Sequence, residues 1–141
     1  MADLTITPAN VIRQEVAGQV KFGVLGEAID AGESAYLADD GLYHLTDAND
    51  SAKPSNKQRL AICLSSGGTG QTSAFASGDG SEIELGAAVG LAGQVLILSE
   101  NAGKIKLASD LAAGEFLTVL GYMKSTSRMV VASSVSGIAK A

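Results

Sequence analysis

The side chains that could do nucleophilic or acid–base chemistry are few and far apart in this chain. His44 is the only histidine, within the alternating stretch 42–45, and Cys63 is the only cysteine, within the apolar stretch 60–64. A catalytic histidine needs an orienting partner and a nucleophile within reach, and no motif around His44 supplies either. We therefore predict that His44 lies on the surface or on an edge strand, and that Cys63 packs in the core, where free cysteines are most often found.

Metal-binding and acid–base patterns are equally weak. One histidine and one cysteine cannot build a zinc site by themselves. The acidic stretch 47–50 begins like a calcium loop but lacks the central glycine and the closing glutamate of that motif. Glu82 and Glu84 share one face of a predicted strand, which would suit a general acid and base, although a solvent-facing strand edge is the commoner case. The sequence predicts no catalytic residue, no metal and no cofactor, and hence no enzyme.

The glycine-rich stretch 67–70 is the only loop that could cradle a phosphate. A P-loop requires Gly-Lys followed by Ser or Thr, and here Gln71 follows Gly70. A hairpin turn accounts for this stretch. The chain also has only three Tyr and three Phe and no Trp, which disfavours a surface that stacks on bases or sugars.

Composition favours one all-β domain. The chain has 141 residues, of which 17 are glycine and 18% are charged. Glycine enters the positive-φ conformations of tight turns at little steric cost, which suits many short strands. The net charge is −5 and the basic residues are scattered, which predicts no nucleic-acid partner. No uncharged apolar run reaches the ~18 residues of a membrane helix, so we expect no membrane contact.

Short blocks of alternating apolar and polar residues, bounded by turn residues, predict the strands. Residues 34–37 and 42–45 flank Asp39-Asp40-Gly41 and predict a hairpin with that turn at its tip. Helical evidence is limited to a turn or two within 48–59, near Ser55, and a single turn within 109–114. The other predicted strands are 4–7, 20–25, 60–64, 73–76, 82–85, 95–98, 104–107, 116–123 and 129–132. We expect a compact β-barrel or β-clip-like body of short antiparallel strands with little helix.

An internal similarity suggests two related units. Residues 31–37 resemble residues 92–98, and each stretch is followed by a glycine-containing turn and another alternating strand. The units span about 26–76 and 86–132, within a single domain of residues 19–141. Residues 1–18 precede this domain and are predicted to form an N-terminal arm. Chance similarity in an Ala-, Gly- and Leu-rich chain is the alternative.

Several stretches resemble small capsid decoration (cement) proteins of tailed bacteriophages. The run 26–43 reads Gly-Glu-Ala-Ile-Asp-Ala-Gly-Glu-Ser-Ala-Tyr-Leu-Ala-Asp-Asp-Gly-Leu-Tyr, and it is followed by Leu-Ala-Ile-Cys-Leu at 60–64 and Gly-Gln-Thr at 70–72. Proteins of that group have a similar Ala-Gly strand start, an Asp-Gly hairpin, an apolar strand and a Gly-Gln turn, and some have β-clip folds. The likeness covers residues 20–76 and, more loosely, 91–132. This chain departs from the pattern at 61–63, where the family prefers Gly-Ile-Ala.

The resemblance implies a structural virion protein. A protein of this kind forms a homotrimer on the outer capsid surface, bridges subunits of the major capsid protein and resists the pressure of packaged DNA. It is made in the host cytoplasm and located in the virion. By this analogy the arm is the candidate partner contact, through Leu4, Ile6, Val11 and Ile12; alternatively, these side chains fill the domain's own core.

Two other functions remain open from the sequence. One is a small ligand- or carbohydrate-binding β module, which the shortage of aromatic residues disfavours. The other is an enzyme or enzyme subunit, which the lack of a catalytic constellation disfavours.

Overall fold

The computed structural model describes residues 3–16, 19–48 and 60–140 of the chain. Nearly all regular structure in these ranges is antiparallel β-strand, which confirms the predicted fold class. The strands are β1 (Ile12–Val16), β2 (Gln19–Val24), β3 (Ser34–Leu37), β4 (Tyr43–Leu45), β5 (Leu60–Cys63), β6 (Thr72–Ser77), β7 (Ser81–Glu84), β8 (Val95–Leu98), β9 (Ile105–Leu107), β10 (Phe116–Met123) and β11 (Arg128–Ala139).

The strands form two sheets. Sheet A has six strands in the order β1-β7-β11-β10-β8-β9, and sheet B has five in the order β2-β6-β5-β3-β4. Neither sheet closes into a barrel, so the barrel alternative of the sequence prediction is wrong. The helical content of the described ranges consists of single 3₁₀ turns at Pro8–Asn10 and Ala108–Asp110.

Local sequence explains most of these elements. The β3–β4 hairpin turns at Asp39-Asp40-Gly41, as predicted: Asp40 Oδ1 accepts the Leu42 N–H at 2.9 Å, and Gly41 has a φ of +82°. Asp side chains commonly bond to the backbone two residues on, and glycine adopts positive φ without a clash. The turn predicted within 109–114 is the Ala108–Asp110 turn, one residue earlier.

Some predicted boundaries are wrong. Residues 4–7 do not form a strand: Leu4 N–H donates to Ile105 O in β9 at 2.8 Å, and Thr7 N–H donates to Leu85 O, just after β7, at 3.3 Å. The sequence did not predict β1, and β11 is twelve residues long where 129–132 was expected. The helical turn expected near Ser55 lies outside the described residues.

The main core lies between the two sheets. Sheet B contributes one face of β5 and β6, and sheet A contributes the facing side chains of β7 to β11. Interior positions on both sheets are apolar at alternate residues, as the strand period requires. The buried side chains at this interface include Leu60, Ile62, Ala76, Ile83, Leu96, Leu98, Ile105, Leu120, Met123, Met129 and Val131.

A second, smaller core lies on the other face of sheet B. The sheet curls enough for Leu25, just after β2, to form an isolated parallel bridge with Tyr43 in β4. The curl encloses Phe75, Cys63 and Ile29, none of which has exposed surface. Because β5 is buried on both faces, it reads as a continuous apolar run in the sequence.

The two sheets repeat one strand order. In sheet B the order β2-β6-β5-β3-β4 corresponds, strand for strand, to β7-β11-β10-β8-β9 in sheet A, and β1 is added beyond β7. Both halves therefore place their first strand beside their last and their internal hairpin at the opposite edge.

The turns that lead into β3 and β8 repeat the same contacts. Gly32 and Gly93 have φ values of +90° and +91°, and each donates its N–H at 2.8 Å to the last residue of the paired strand, Cys63 or Met123. The next side chain, Glu or Gln, accepts the backbone N–H three residues earlier at 2.8 Å in both halves. These correspondences are what a duplicated unit would produce, and a common origin of the halves stays a hypothesis.

Candidate interaction surfaces

His44 lies in the edge strand β4, between two carboxylates. Its Nε2 is 2.9 Å from Asp40 Oδ2 and its Nδ1 is 3.3 Å from Glu27 Oε2. A neutral imidazole has only one N–H, so it can donate to both carboxylates only as imidazolium. Two hydrogen bonds lower the pKa of Asp40: the larger effect comes from the Leu42 N–H and the smaller one from His44. The cluster connects the β3–β4 turn with the segment after β2, which is a structural role.

Cys63 is fully buried in the smaller core, as predicted. Its thiol donates to Ser65 O at 3.1 Å and lies 3.6 Å from Ser73 Oγ. Burial raises the pKa of the thiol, so the nucleophilic thiolate is disfavoured at neutral pH.

Glu82 and Glu84 do share a face of β7, but they do not form a carboxylate pair. Glu82 accepts two hydrogen bonds from Lys124 Nζ, at 2.9 and 3.0 Å. Glu84 accepts from Ser127 Oγ at 3.0 Å and lies 3.5 Å from Arg128 Nε. Because β7 lies between β1 and β11, the expectation of a strand edge is wrong. Each glutamate instead fastens β7 to the neighbouring hairpin.

The glycine-rich stretch 67–70 is the turn between β5 and β6, as predicted. Gly70 has a φ of +84°, and Gln71 Oε1 accepts the Gly68 N–H at 2.6 Å. Gly67 and Ile29 exchange backbone hydrogen bonds of 3.0 Å each, so the turn is also paired with the segment after β2. The backbone N–H groups of Gly67, Gly68 and Gly70 therefore form hydrogen bonds within the protein, which is a structural role.

A buried charge cluster surrounds Lys106 in β9 and was not predicted from the sequence. The side chain of Lys106 has no exposed surface, and its ammonium donates to Glu100 at 2.6 Å and to Glu115 at 2.7 Å. Glu115 is itself 3% exposed and also accepts the Ala112 N–H at 2.7 Å. No spacing in the sequence distinguishes Lys106 from the exposed Lys104 on the same strand face, so sequence reasoning could not have found it.

The pKa values in this cluster move in the direction expected of ion pairs. Two hydrogen bonds lower the pKa of Glu100 to about 2: the larger effect comes from Glu115 and the next largest from Lys106. Burial alone would lower the pKa of Lys106, but the hydrogen bonds to both carboxylates outweigh it and the net shift is upward. A lysine held in its charged form is a structural anchor and a poor nucleophile.

The four predicted partner-contact residues lie close to the protein's own core. Leu4 and Ile6 are half-buried against the core between the sheets, and Val11 is a buried member of it. The backbone of Ile12 lies opposite Glu84 in the β1–β7 ladder, and its side chain is outside what the structure describes. Contact between these residues and another protein stays a prediction.

A cavity of about 270 Å³ lies beside this N-terminal segment. Its lining includes Asp3, Ile6, Glu33 and Lys104, and Glu33 pairs with Lys104 at 3.0 Å. It falls just below the range of ~300–1,000 Å³ that is typical of small-molecule sites. No aromatic side chain is among its described lining residues.

Large apolar side chains remain exposed on one edge strand, β2. Val20, Phe22 and Val24 are 36%, 75% and 38% exposed, and alternation places all three on one face. We call these three residues the β2 stripe. A strand edge with this composition is an aggregation hazard unless a partner covers it.

A second exposed apolar patch lies on sheet A. Val95 in β8 and Tyr122 in β10 are opposite one another in the ladder and are 40% and 42% exposed. Leu91, in the turn that leads into β8, is also exposed. We call Val95 and Tyr122 the β8–β10 patch.

The comparisons with known proteins identify no relative: no protein-family model matches the chain, and no curated protein sequence does. Within the described residues, no helix is long and apolar enough to cross a membrane. The same part of the chain contains no group of three or more His, Cys, Asp or Glu side chains placed to hold a metal ion.

Proposed function

We propose that this protein is a structural virion protein that decorates and stabilises the outside of a tailed-phage capsid, bridging major capsid protein subunits as a homotrimer. The observation that supports this proposal best is that the exposed large apolar side chains lie mainly on strand faces, where another protein can lie flat against them. The sequence resemblance described above points to the same class of partner.

The chemistry of the described residues is consistent with this role. The side chains of His44, Cys63, Glu82 and Glu84 hold strands and turns together, and the charge cluster of Lys106 is internal. A negative net charge of −5 disfavours adhesion to the DNA inside the capsid. Three linked contacts in a trimer would raise the effective concentration of each one.

We assign the capsid contact to the β8–β10 patch, with the N-terminal residues as the predicted second contact. Val95 and Tyr122 are exposed neighbours on one sheet face, whereas Leu4, Ile6 and Val11 already contact the protein's own core. Aromatic side chains such as Tyr122 are typical anchors of protein interfaces.

Co-sedimentation with expanded tailed-phage heads tests the proposal. We expect saturable binding that the double variant Val95→Lys/Tyr122→Lys weakens about tenfold or more. Ile138→Lys is the matched control, because Ile138 is 70% exposed on a different strand. Absence of binding at both low and high salt contradicts the capsid role, and equal loss in the control contradicts the assignment of the patch.

A small ligand-binding module is the second candidate, favoured by the cavity beside Glu33 and Lys104. A thermal-shift screen with simple sugars, amines and carboxylates tests it. A saturable stabilisation that Lys104→Met abolishes would favour this module over the capsid role.

A further inference from the structure

Residues 3–7, which we call the N-terminal strap, cover the outer edge of sheet A. β9 is the last strand of that sheet, and its Ile105 O accepts the Leu4 N–H at 2.8 Å. At the other end of the strap, Thr7 N–H donates to Leu85 O at 3.3 Å, just after β7. The strap therefore spans from the edge strand β9 to the end of β7.

The strap lies outside the strand order that the two sheets share. In sheet B, the loop that directly follows β2 closes the corresponding edge, since Gly26 N–H donates to Tyr43 O in β4 at 2.8 Å. The loop that follows β7 bonds elsewhere: Val89 N–H donates to Thr126 O at 2.8 Å. Leu4 N–H thus takes at the start of β9 the place that Gly26 N–H takes at the start of β4. A segment added to the repeated body closes the edge in sheet A.

The site beneath the strap is shaped for this segment. A Cβ on Gly32 would lie 2.5 Å from Ile6 Cγ2, so the Ile6 side chain fills the space that the glycine leaves. Leu4 and Ile6 both pack against the core between the sheets. Without the strap, the buried side chain of Ile105 and the edge of β9 would face solvent, which favours pairing with another chain. The segment that fits the vacated site is another copy of residues 3–7.

The strap is loosely packed against the body. A cavity of about 270 Å³ lies between residues 3–6 and the body residues 30–33 and 103–105. A second cavity, of about 260 Å³, lies between the strap and a different part of the body, at Ala88 and Leu107. Side chains that line a void lack contact atoms on one side and lose the corresponding dispersion energy. Segments held in this way open locally at a free energy well below that of global unfolding.

We propose that copies of this chain exchange their N-terminal straps: the strap opens while both sheets stay folded, and the vacated edge of β9 takes the strap of a second copy. The exchanged strap makes the same contacts as the original one, so exchange costs little beyond the association itself. In dilute solution the chain's own strap has the advantage of effective concentration, and an assembly that holds copies side by side removes that advantage. Exchange does not depend on capsid binding and so goes beyond the proposed function.

Cysteines at positions 6 and 32 detect the exchanged strap. The two Cβ atoms would be 3.5 Å apart, at the lower end of the disulfide range of ~3.5–4.5 Å. Ile6→Cys and Gly32→Cys are made as separate proteins and mixed at high micromolar concentration under mild oxidation. We expect a covalent heterodimer in which peptide mapping finds position 6 joined to position 32, because only a strap seated in the site of another copy brings these positions together.

Gly41→Cys is the matched control for Gly32→Cys. The two glycines have similar φ values, +82° and +90°, so a side chain strains the backbone equally, but Gly41 has open space around it. A mixture of Gly41→Cys with Ile6→Cys measures disulfides formed by random collision. We expect the 6–32 heterodimer to form at least about tenfold faster than this control, since seating of the strap raises the local concentration of the thiols. Circular dichroism checks that each variant is folded.

Amide hydrogen exchange of the natural chain tests the opening step separately. We expect Leu4 N–H to exchange at least about tenfold faster than Met123 N–H, which donates to Gln94 O at 2.8 Å inside sheet A. In the double variant Ile6→Cys/Gly32→Cys, an internal disulfide should slow the exchange of Leu4 N–H, and a reductant should restore it.

Two results overturn strap exchange: a 6–32 heterodimer that forms no faster than the Gly41→Cys control, or a Leu4 amide as protected as that of Met123. Neither measurement involves phage heads. Failure of strap exchange would therefore leave the capsid role intact, and failure of head binding would leave strap exchange intact.

Discussion

The ring of Tyr43 lies flat against the ring of Phe75, with centroids 4.0 Å apart and planes 13° from parallel. Tyr43 is at one edge of the curled sheet B and Phe75 is near the other, in β6. The stack therefore joins strands that are distant in the ladder, and it fills the space that the curl encloses. It is the centre of the smaller core.

Removal of the Phe75 ring from this stack should destabilise the protein strongly. Phe75 has no exposed surface, and a buried Phe→Ala change typically costs about 3–5 kcal/mol. We expect a loss of that size for Phe75→Ala in the free energy of unfolding, measured by urea denaturation. Phe22→Ala is the same chemical change at an exposed site, and monomer stability should stay within about 0.5 kcal/mol. Similar losses for both variants would contradict the burial of Phe75.

Gly121 should tolerate no side chain, because β10 and β11 approach closely there. A Cβ at this position would overlap the carbonyl oxygen of Val130, and neither backbone can move without breaking the ladder. We expect Gly121→Ala to lower the free energy of unfolding by about 2 kcal/mol or more. Gly68→Ala is the control: a Cβ at that position would lie 3.7 Å from Gln71 Oε1, which is an ordinary contact, and the effect should be much smaller. Equal effects in thermal denaturation would rule out the clash.

Removal of the Lys106 ammonium should be costly because it leaves a buried carboxylate without its partner. Breaking a buried ion pair in this way typically costs about 3–5 kcal/mol, and we expect Lys106→Met to show a loss in that range. The double variant Lys106→Met/Glu115→Leu should recover much of the loss, since it removes both buried charges. Chemical denaturation of the three proteins measures the effect. A double variant as unstable as the single one would show that the cluster acts through packing alone.

The same cluster predicts how stability falls in acid. The pKa of Glu100 is about 2 in the folded protein, below the ordinary value of 4.5. Its stabilising contribution is therefore complete above about pH 4.5 and disappears as the pH falls towards 2. Thermal denaturation of the natural chain and of Glu100→Gln, from pH 6 to pH 2, should give two curves that converge in acid. A constant difference between the curves across that range would be incompatible with the lowered pKa.

Alternation and turn residues predicted the strands that carry regular apolar residues. β3, β8 and β10 begin and end where the sequence indicated, and Cys63 lies in the core as expected. β1 was missed because Arg, Gln and Glu occupy its three middle positions and hide the apolar ends. The second half of β11 was missed because serines and a glycine are weak strand formers, and pairing with β10 maintains the strand there.

The exposed apolar surfaces were harder to predict than the fold. The resemblance to capsid decoration proteins indicated the apolar N-terminal residues as the contact, which stays a prediction. The sequence cannot show which other apolar side chains the two sheets will leave exposed. Exposure of Phe22 and Tyr122 depends on strand order, because each would be buried if another strand or sheet lay over its face. The burial of Lys106 likewise depends on Glu115, which only the fold brings close.

The position of β1 has a mechanical consequence. This strand precedes all of sheet B in the chain, yet it pairs with β7 in sheet A, so the polypeptide crosses from one layer to the other and back. A force that pulls the layers apart must first shear the β1–β7 ladder or unravel β2. This crossing links the two sheets through the polypeptide backbone. The β1–β7 hydrogen bonds therefore oppose a force that separates the sheets, without a disulfide.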